Sequence, residues 1–182
     1  SGQQVVAVAD QSAGGSGRRW MGRLCLWGGA IGVWLLAIVF AKGSDLCYGF
    51  FEQLIAHSRS WPLLVTPLGF ALLAWLTEGA LRATRGSGIP QVMAALHRED
   101  DIGFRERLLS LKVAAGKLVL TLFALLVGAS VGREGPTVHV GAGLMAWLAQ
   151  RFGFRDPAAI SRFALAGGAA GIAAAFNAPL AG

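Results

Sequence analysis

The stretch at residues 118–150 reads LVLTLFALLVGASVGREGPTVHVGAGLMAWLAQ, two apolar runs on either side of a short polar turn. Arg133 and Glu134 are its only charged residues, between an uncharged run at 118–132 and another at 135–150. A bilayer core about 30 Å thick needs about 20 apolar residues in a helix. A carboxylate with such flanks is costly inside a membrane and is typically functional. The pattern therefore predicts membrane helices interrupted by a polar turn.

The composition of the whole chain also indicates a membrane protein. Of its 182 residues, 54% are hydrophobic and 14% are charged, whereas soluble domains carry about 25% charged residues. Further uncharged runs cover residues 24–41, 60–77 and 163–182. The net charge of +6 is located at the ends of the apolar runs and forms no continuous face, which argues against a nucleic-acid partner.

The chain divides into a short tail and a helical domain. Residues 1–17 are rich in Gly, Ser, Gln and Ala, which predicts a disordered cytoplasmic tail. Arg18, Arg19 and Arg23 precede the first apolar run, so the positive-inside rule places the N-terminus in the cytoplasm. Residues 18–182 are predicted to form an all-α, polytopic membrane domain with tilted and broken helices.

Six helical segments are predicted within that domain. Pro62 suits the first turn of the second helix, whereas Pro67 is expected to kink it. Asn177 before Ala178-Pro179 is a helix-stop signal, and a new helix is expected from Pro179. The predicted segments run from about Trp20 as far as His57, and over Trp61–Arg82, Ile89–Leu96, Leu108–Val127, Thr137–Leu148 and Pro157–Phe176.

Small residues dominate the last of these segments. Gly167, Gly171 and Ala175 recur at four-residue spacing and lie on one helix face. Because small residues let helix backbones approach closely, this face is expected to be buried against other helices.

Two short motifs, GSGIP at 86–90 and GREGP at 132–136, share one design: a Gly-rich turn, a Pro and a short apolar helix. Pro is favoured in the first helical turn, and Gly permits close backbone approach. The result is a helix N-terminus with free N–H groups and the positive end of a dipole, which together bind anions. Two such broken helices predict an anion site near the bilayer midplane, and their tips are expected to point towards each other.

Each motif has a plainer interpretation that the sequence leaves open. GSGIP alone could be a surface turn. Glu134 could pair with Arg133 in an external loop. The segment as a whole could belong to a membrane scaffold without transport activity, in which case nothing would bring Ser87 and Glu134 to one cavity.

Three motifs in order, GSGIP (86–90), GREGPTVHVGA (132–142) and GGAAGIAAAFNAPLAG (167–182), resemble signatures of the CLC family of chloride channels and chloride/proton exchangers. The resemblance covers about Trp20 to Gly182. It implies the first half of an inverted-repeat helical fold, which assembles as a homodimer with an anion pathway in each subunit. It also implies that the chain stops within NAPLAG, before the family's coordinating Tyr and internal glutamate.

The resemblance implies roles for individual residues. Ser87 would donate its hydroxyl to a chloride ion, and Glu134 would be the gating glutamate, which occupies an anion position when charged and swings away when protonated or displaced. The family's fluoride-selective branch typically replaces this Ser, so Ser87 favours chloride. The residues predicted to bind chloride are Ser87, Gly88, Ile89, Pro90, Gly132, Arg133, Gly135 and Pro136.

Other polar residues are given secondary roles. By resemblance, Lys112 matches a buried family lysine, although a Lys that snorkels to the membrane interface is the equal alternative. His139 is predicted to pack between helices, and His57 and His97 to lie at the interface without binding metal. Cys25 and Cys47 match no metal spacing and are predicted to be small apolar fillers.

The prediction for the full-length protein is chloride transport, either by exchange with protons or through a gated channel. The protein is not expected to be an enzyme or to need a cofactor or a metal. It is predicted to lie as a homodimer in the lipid bilayer of a bacterial inner membrane. A fluoride-exporting relative is the alternative within the same class.

Overall fold

The structure is a computed structural model that describes residues 2–58, 60–79, 81–97, 103 and 109–178. Those residues form α-helices and a short 3₁₀ helix over Arg82–Thr84, with no strand among them, so the predicted all-α class is confirmed. The helices are α1 Gly2–His57, α2 Pro62–Glu78, α3 Ile89–His97, α4 Leu111–Leu126, α5 Glu134–Arg151 and α6 Pro157–Ala175.

The first helix ends at His57, as predicted, but it begins much earlier than expected. The structure includes residues 2–17 in α1, whereas the sequence predicted a disordered tail over 1–17. Extending a helix adds one hydrogen bond per residue and needs no new nucleus. The Ala-, Val- and Gln-containing tail can therefore follow the helical path set by the apolar run. The domain boundary near residue 17 stays a prediction.

Within the described parts of the chain, two helical segments are long and apolar enough to cross a bilayer: Trp20–His57 with 38 residues and Pro157–Ala175 with 19. Helix α2 is apolar but shorter, and α3 has nine residues, or about 14 Å, which cannot span a bilayer. Helix α5 extends beyond the predicted Thr137–Leu148 to 18 residues, because it begins at Glu134 and ends at Arg151. The expected mixture of full-length and short helices is thus present.

Large apolar side chains lie on the outside of α1 and α2. Trp27 is 73% exposed, and Leu63 and Trp75 are exposed to a similar degree. A soluble monomer of this size would not leave so much apolar surface in contact with water. This surface is instead typical of helices that contact lipid or further protein.

The tightest helix contact joins α5 and α6 through glycines. A Cβ atom added to Gly141 would overlap the Gly167 carbonyl, and one added to Gly167 would overlap the Gly141 carbonyl. A Cβ on Gly171 would lie 2.7 Å from the carbonyl oxygen of Thr137. Gly167 and Gly171 on the small-residue face of α6 are therefore buried, as predicted, whereas Ala175 at the end of that face is exposed. Arg162 and Leu165 on other faces are exposed as well.

Local signals account for the ends of α6 and for the start of α2. The Asp156 carboxylate accepts hydrogen bonds from the backbone N–H groups of Ala158 and Ala159, at 3.3 and 3.1 Å, and Pro157 occupies the first turn. Asn177 has φ of 50°, the left-handed conformation that ends a helix. Pro62 lies in the first turn of α2, as predicted. The helix expected from Pro179 lies outside the described residues.

Candidate functional site

The loop before α3 depends on two glycines with left-handed backbone. Gly86 and Gly88 have φ of 90° and 110°, a backbone conformation that residues with a side chain rarely adopt. These turns bring the chain sharply into α3, whose first residue is Ile89. The helix predicted after GSGIP is confirmed.

The GSGIP loop and the start of α5 touch through their backbones. A Cβ atom on Gly88 would lie 2.6 Å from the carbonyl oxygen of Gly135, and one on Gly135 would overlap the Ser87 carbonyl. No residue other than glycine fits either position without displacing backbone. The two helix N-termini therefore meet, as predicted, whereas their place within the bilayer stays a prediction.

A cavity of about 570 Å³ lies at this junction, which we call the inner cavity. Ser87 and Glu134 both line it. A membrane scaffold without transport activity would give no reason for these two residues to share a cavity. Its charged lining residues are Arg85, Lys117 and Glu134, two cations against one carboxylate. The other lining residues are Thr77, Thr84, Gly86, Ile89, Leu120, Thr121, Ala124, Val131, Gly132, Gly135 and Pro136.

The first turn of α5 presents unpaired donors to this region. Arg133 is the N-cap residue, and its side chain makes no capping hydrogen bond. The backbone N–H of Thr137 donates to the Arg133 carbonyl at 3.3 Å, which is the first hydrogen bond within the helix. The N–H groups of Glu134 and Gly135 come before it and have no acceptor within the helix. Such donors, with the positive end of the helix dipole, suit an anion.

The Glu134 carboxylate folds back over the turn that precedes its helix. A Cβ atom on Gly132 would overlap a carboxylate oxygen of Glu134, so the two are in contact. Among the described residues, neither this carboxylate nor the Ser87 hydroxyl has a hydrogen-bond partner. Arg133 pairs with Asp45 of α1, at 2.8 Å, and not with Glu134. The alternative of a Glu134–Arg133 ion pair is thus not observed.

The remaining residues of the predicted chloride site are divided between the inner cavity and its surroundings. Gly88 is buried in the contact with Gly135, and Pro90 is exposed on α3. Arg133 lines a neighbouring cavity of about 770 Å³, which we call the outer cavity. Val131 lines both cavities, which are therefore adjacent.

The buried lysine is Lys117 and not Lys112, and of the two alternatives for Lys112 the exposed one is observed. Lys112 lies exposed in the first turn of α4, whereas Lys117 is 3% exposed. The Lys117 ammonium donates to the Gly86 carbonyl at 2.9 Å and to the Gln91 side-chain oxygen at 3.0 Å. A lysine that borders an apolar run could have signalled this, but its partners lie too far away in sequence to be read from spacing.

Gln91 completes the link between α3, α4 and the GSGIP loop. Its amide nitrogen donates to the Arg85 carbonyl while its oxygen accepts from Lys117. A buried cation and a bridging amide thus hold both ends of the loop that carries Ser87. No sequence motif singles out Gln91.

The histidines and cysteines take mainly structural positions. His139 is fully buried on α5, and a Cβ on Gly88 would lie 3.0 Å from its Cβ atom, which agrees with its predicted packing role. Cys25 is buried and Cys47 half-buried, both as free thiols. Within the described part of the chain, no three His, Cys, Asp or Glu side chains come together in a way that could hold a metal ion. The side chain of His97 lies outside the described residues.

Known proteins resemble this chain over most of its length. The family model described as Voltage gated chloride channel matches residues 69–182, which include both Gly-rich turns. The H(+)/Cl(-) exchange transporter ClcA of Yersinia pestis bv. Antiqua is 34% identical over 155 residues, with 81% of this chain and 31% of that protein covered. The H(+)/Cl(-) exchange transporter ClcA of Citrobacter koseri is 32% identical, with 81% and 32% covered. No solved structure matches the chain.

The chain spans about a third of the length of these curated relatives. The family match covers more than half of the chain and all of the residues around the inner cavity from Thr77 to Pro136. The exposed apolar helices fit the same membrane fold. The chain is therefore part of a membrane protein and belongs to the voltage gated chloride channel family.

Proposed function

We propose that the full-length protein transports chloride across a membrane in exchange for protons. The single observation that carries this proposal is the shared cavity, in which Ser87 and Glu134 lie between two helix N-termini that touch through Gly88 and Gly135. The relatives described as H(+)/Cl(-) exchange transporters favour exchange over passive conduction. The protein would act as a transporter and not as an enzyme.

In this proposal the chain binds a partly dehydrated anion through neutral donors. The Ser87 hydroxyl and the first N–H groups of α5 would replace water around chloride. Arg85 and Lys117 would supply positive potential from the cavity wall. Because Lys117 bonds only neutral oxygens among the described residues, its charge is not cancelled by a carboxylate.

Glu134 would act as the gate of this site. A carboxylate and a chloride ion are both anions, so they compete for the same helix N–H donors. While charged, the side chain would occupy the anion position. When protonated it would lose its attraction to the helix dipole, leave the site and carry a proton as chloride takes its place.

The surrounding assembly belongs to the same proposal. The Arg residues at 18, 19 and 23 favour a cytoplasmic N-terminus, and the protein would lie in a bacterial inner membrane. The exposed apolar surface of α1 and α2 would contact lipid, the second half of the fold or a second subunit. A homodimer with one pathway in each subunit is the expected form.

Glu134→Gln tests the gate, because it removes the titratable charge while keeping the shape of the side chain. In liposomes that contain the full-length protein, chloride flux should persist and lose its pH dependence. Coupled proton flux should fall to the level of empty liposomes. The measurement is simultaneous chloride and proton flux over a pH series, with fluoride in place of chloride as a selectivity check.

Glu78→Gln is the matched control, because Glu78 is an exposed carboxylate at the end of α2 that lines neither cavity. It should keep wild-type proton coupling and pH response. If Glu134→Gln behaved like Glu78→Gln, Glu134 would have no gating role. A wild-type protein without chloride flux would favour a scaffold, and preferred fluoride flux would favour a fluoride exporter.

A further inference from the structure

An ion pair joins α1 to the residue just before the gate. The Arg133 guanidinium donates to a carboxylate oxygen of Asp45 at 2.8 Å, although the two residues are 88 positions apart. Arg133 is the N-cap of α5 and precedes Glu134 directly. The pair therefore holds the Arg133 guanidinium in one position beside the start of the helix that carries the gate.

This ion pair lies on the wall of the outer cavity. Asp45 and Arg133 both line that cavity, and so does Glu52, which follows Asp45 further along α1. Because Val131 lines the outer and inner cavities alike, an anion that passes from one to the other passes close to this wall. The outer cavity is about 770 Å³, which is large enough for hydrated ions.

The pair contributes little to folding stability, because its side chains are 48% and 70% exposed and exposed ion pairs are weak. Its importance is electrostatic. An unpaired Arg133 would attract anions into the outer cavity, whereas Asp45 cancels that charge and holds the guanidinium in place. With Glu52 included, the charged lining of the outer cavity carries two carboxylates and one cation.

We propose that Asp45 is a positioning residue that sets how strongly the outer cavity attracts chloride, through its ion pair with Arg133. This inference rests on the proposed function, since it assigns the outer cavity to the same anion pathway. It concerns the affinity for chloride on one side of the membrane and not the gating step.

The test measures initial chloride flux by the full-length protein in membrane vesicles of the two defined orientations. Chloride is varied on one side at constant ionic strength, with gluconate as the replacing anion. Asp45→Asn should lower the half-saturating chloride concentration by about two- to fivefold on the side of the membrane to which the outer cavity opens. This is the effect expected from one unit charge several ångströms away in a hydrated site. The half-saturating concentration on the opposite side should not change.

Arg133→Gln supplies a second, independent variant with the opposite sign. It should raise the half-saturating chloride concentration on the same side by a similar factor. The double variant Asp45→Asn/Arg133→Gln restores the wild-type charge balance of the wall and should return the value close to wild type. In each case the change in half-saturating chloride should exceed the change in maximal rate.

Glu52→Gln is the matched control. It removes the same charge from the same cavity, about 10 Å further along α1. The described ion pair of Arg133 is with Asp45 and not with Glu52. It should shift the half-saturating concentration less than Asp45→Asn does, and Arg133→Gln should not reverse its effect.

Equal shifts on both sides, no shift, or a rise with Asp45→Asn would overturn the role of Asp45. A loss of maximal rate without a change in half-saturation, common to both single variants, would assign the pair a structural role and overturn it too. If the flux depends on Glu134 but not on Asp45, the proposed function stands and this inference alone fails. Absence of any Glu134-dependent flux would remove both.

Discussion

Lys117 places a positive charge at a buried position of a largely apolar helix, where loss of water disfavours the charge. The Gly86 carbonyl and Gln91 offset part of that cost, and both belong to the segment that carries Ser87. The lysine thus couples the position of the Ser87 loop to α4. Lys117 also lines the inner cavity, where a buried cation would favour the binding of an anion.

Lys117→Met should destabilise the full-length protein by about 1–3 kcal/mol, because a buried carbonyl and amide oxygen lose their donor. Chloride binding should weaken as well, since the cavity loses a positive charge. Thermal unfolding in detergent and isothermal titration with chloride measure the two effects. Lys112→Met is the matched control on the same helix, and it should leave both values unchanged because Lys112 is exposed.

The sequence was informative where a feature depends on neighbouring residues and uninformative where it depends on distant ones. Asp156 and Pro157 identify the start of α6 because cap and first turn are adjacent. The contacts of Lys117 with residues 86 and 91, and of Arg133 with Asp45, join positions 26 to 88 residues apart. The resemblance pointed to Lys112, with an exposed position as the equal alternative, and only the contacts of Lys117 with residues far away in sequence identify it as the buried lysine.

Helices α5 and α6 meet backbone to backbone, and this contact orients the helix that begins with Glu134. Gly141 and Gly167 leave no room for a side chain between the two helices. Close approach of this kind increases the van der Waals contact of helices that have no hydrophobic driving force between them in lipid. The small-residue spacing in the sequence predicted the buried face, but not which helix would cover it.

Gly167→Ala should therefore destabilise the protein by about 1–3 kcal/mol through overpacking. The neighbouring Gly168→Ala is the matched control on the same helix, because a Cβ there would meet Val138 at an ordinary 3.6 Å. Size-exclusion profiles and unfolding temperature in detergent provide the comparison. Equal behaviour of the two variants would contradict the backbone contact seen in the structure.

The whole chain combines helices that can cross a bilayer with helices that cannot. α1 and α6 are long and apolar, whereas α3 is a single short piece that starts at the inner cavity. Irregular backbone such as the GSGIP loop is tolerated at membrane depth only where protein or a water-filled cavity surrounds it. The composition predicted this class and the shared motif design predicted that α3 and α5 meet, whereas the glycine contacts that form the junction required the three-dimensional structure.

The membrane orientation makes a further prediction for the full-length protein. A fluorescent reporter that matures only in the cytoplasm should fluoresce when fused to the N-terminus, because Arg18, Arg19 and Arg23 precede the first span. Replacing all three by Gln should reduce this fluorescence. Unchanged signal in the triple variant would show that other segments set the topology.

The contact between Gly88 and Gly135 has a consequence for how the site can change over evolution. The donors at this junction are peptide groups, and a point mutation to any residue except proline replaces a side chain but leaves the peptide N–H in place. Apart from changes to proline, a single codon can therefore alter only two of the groups proposed to meet the ion directly, the Ser87 hydroxyl and the Glu134 carboxylate. We expect natural diversity in ion preference and coupling to concentrate at these two positions, over a main-chain frame that stays the same.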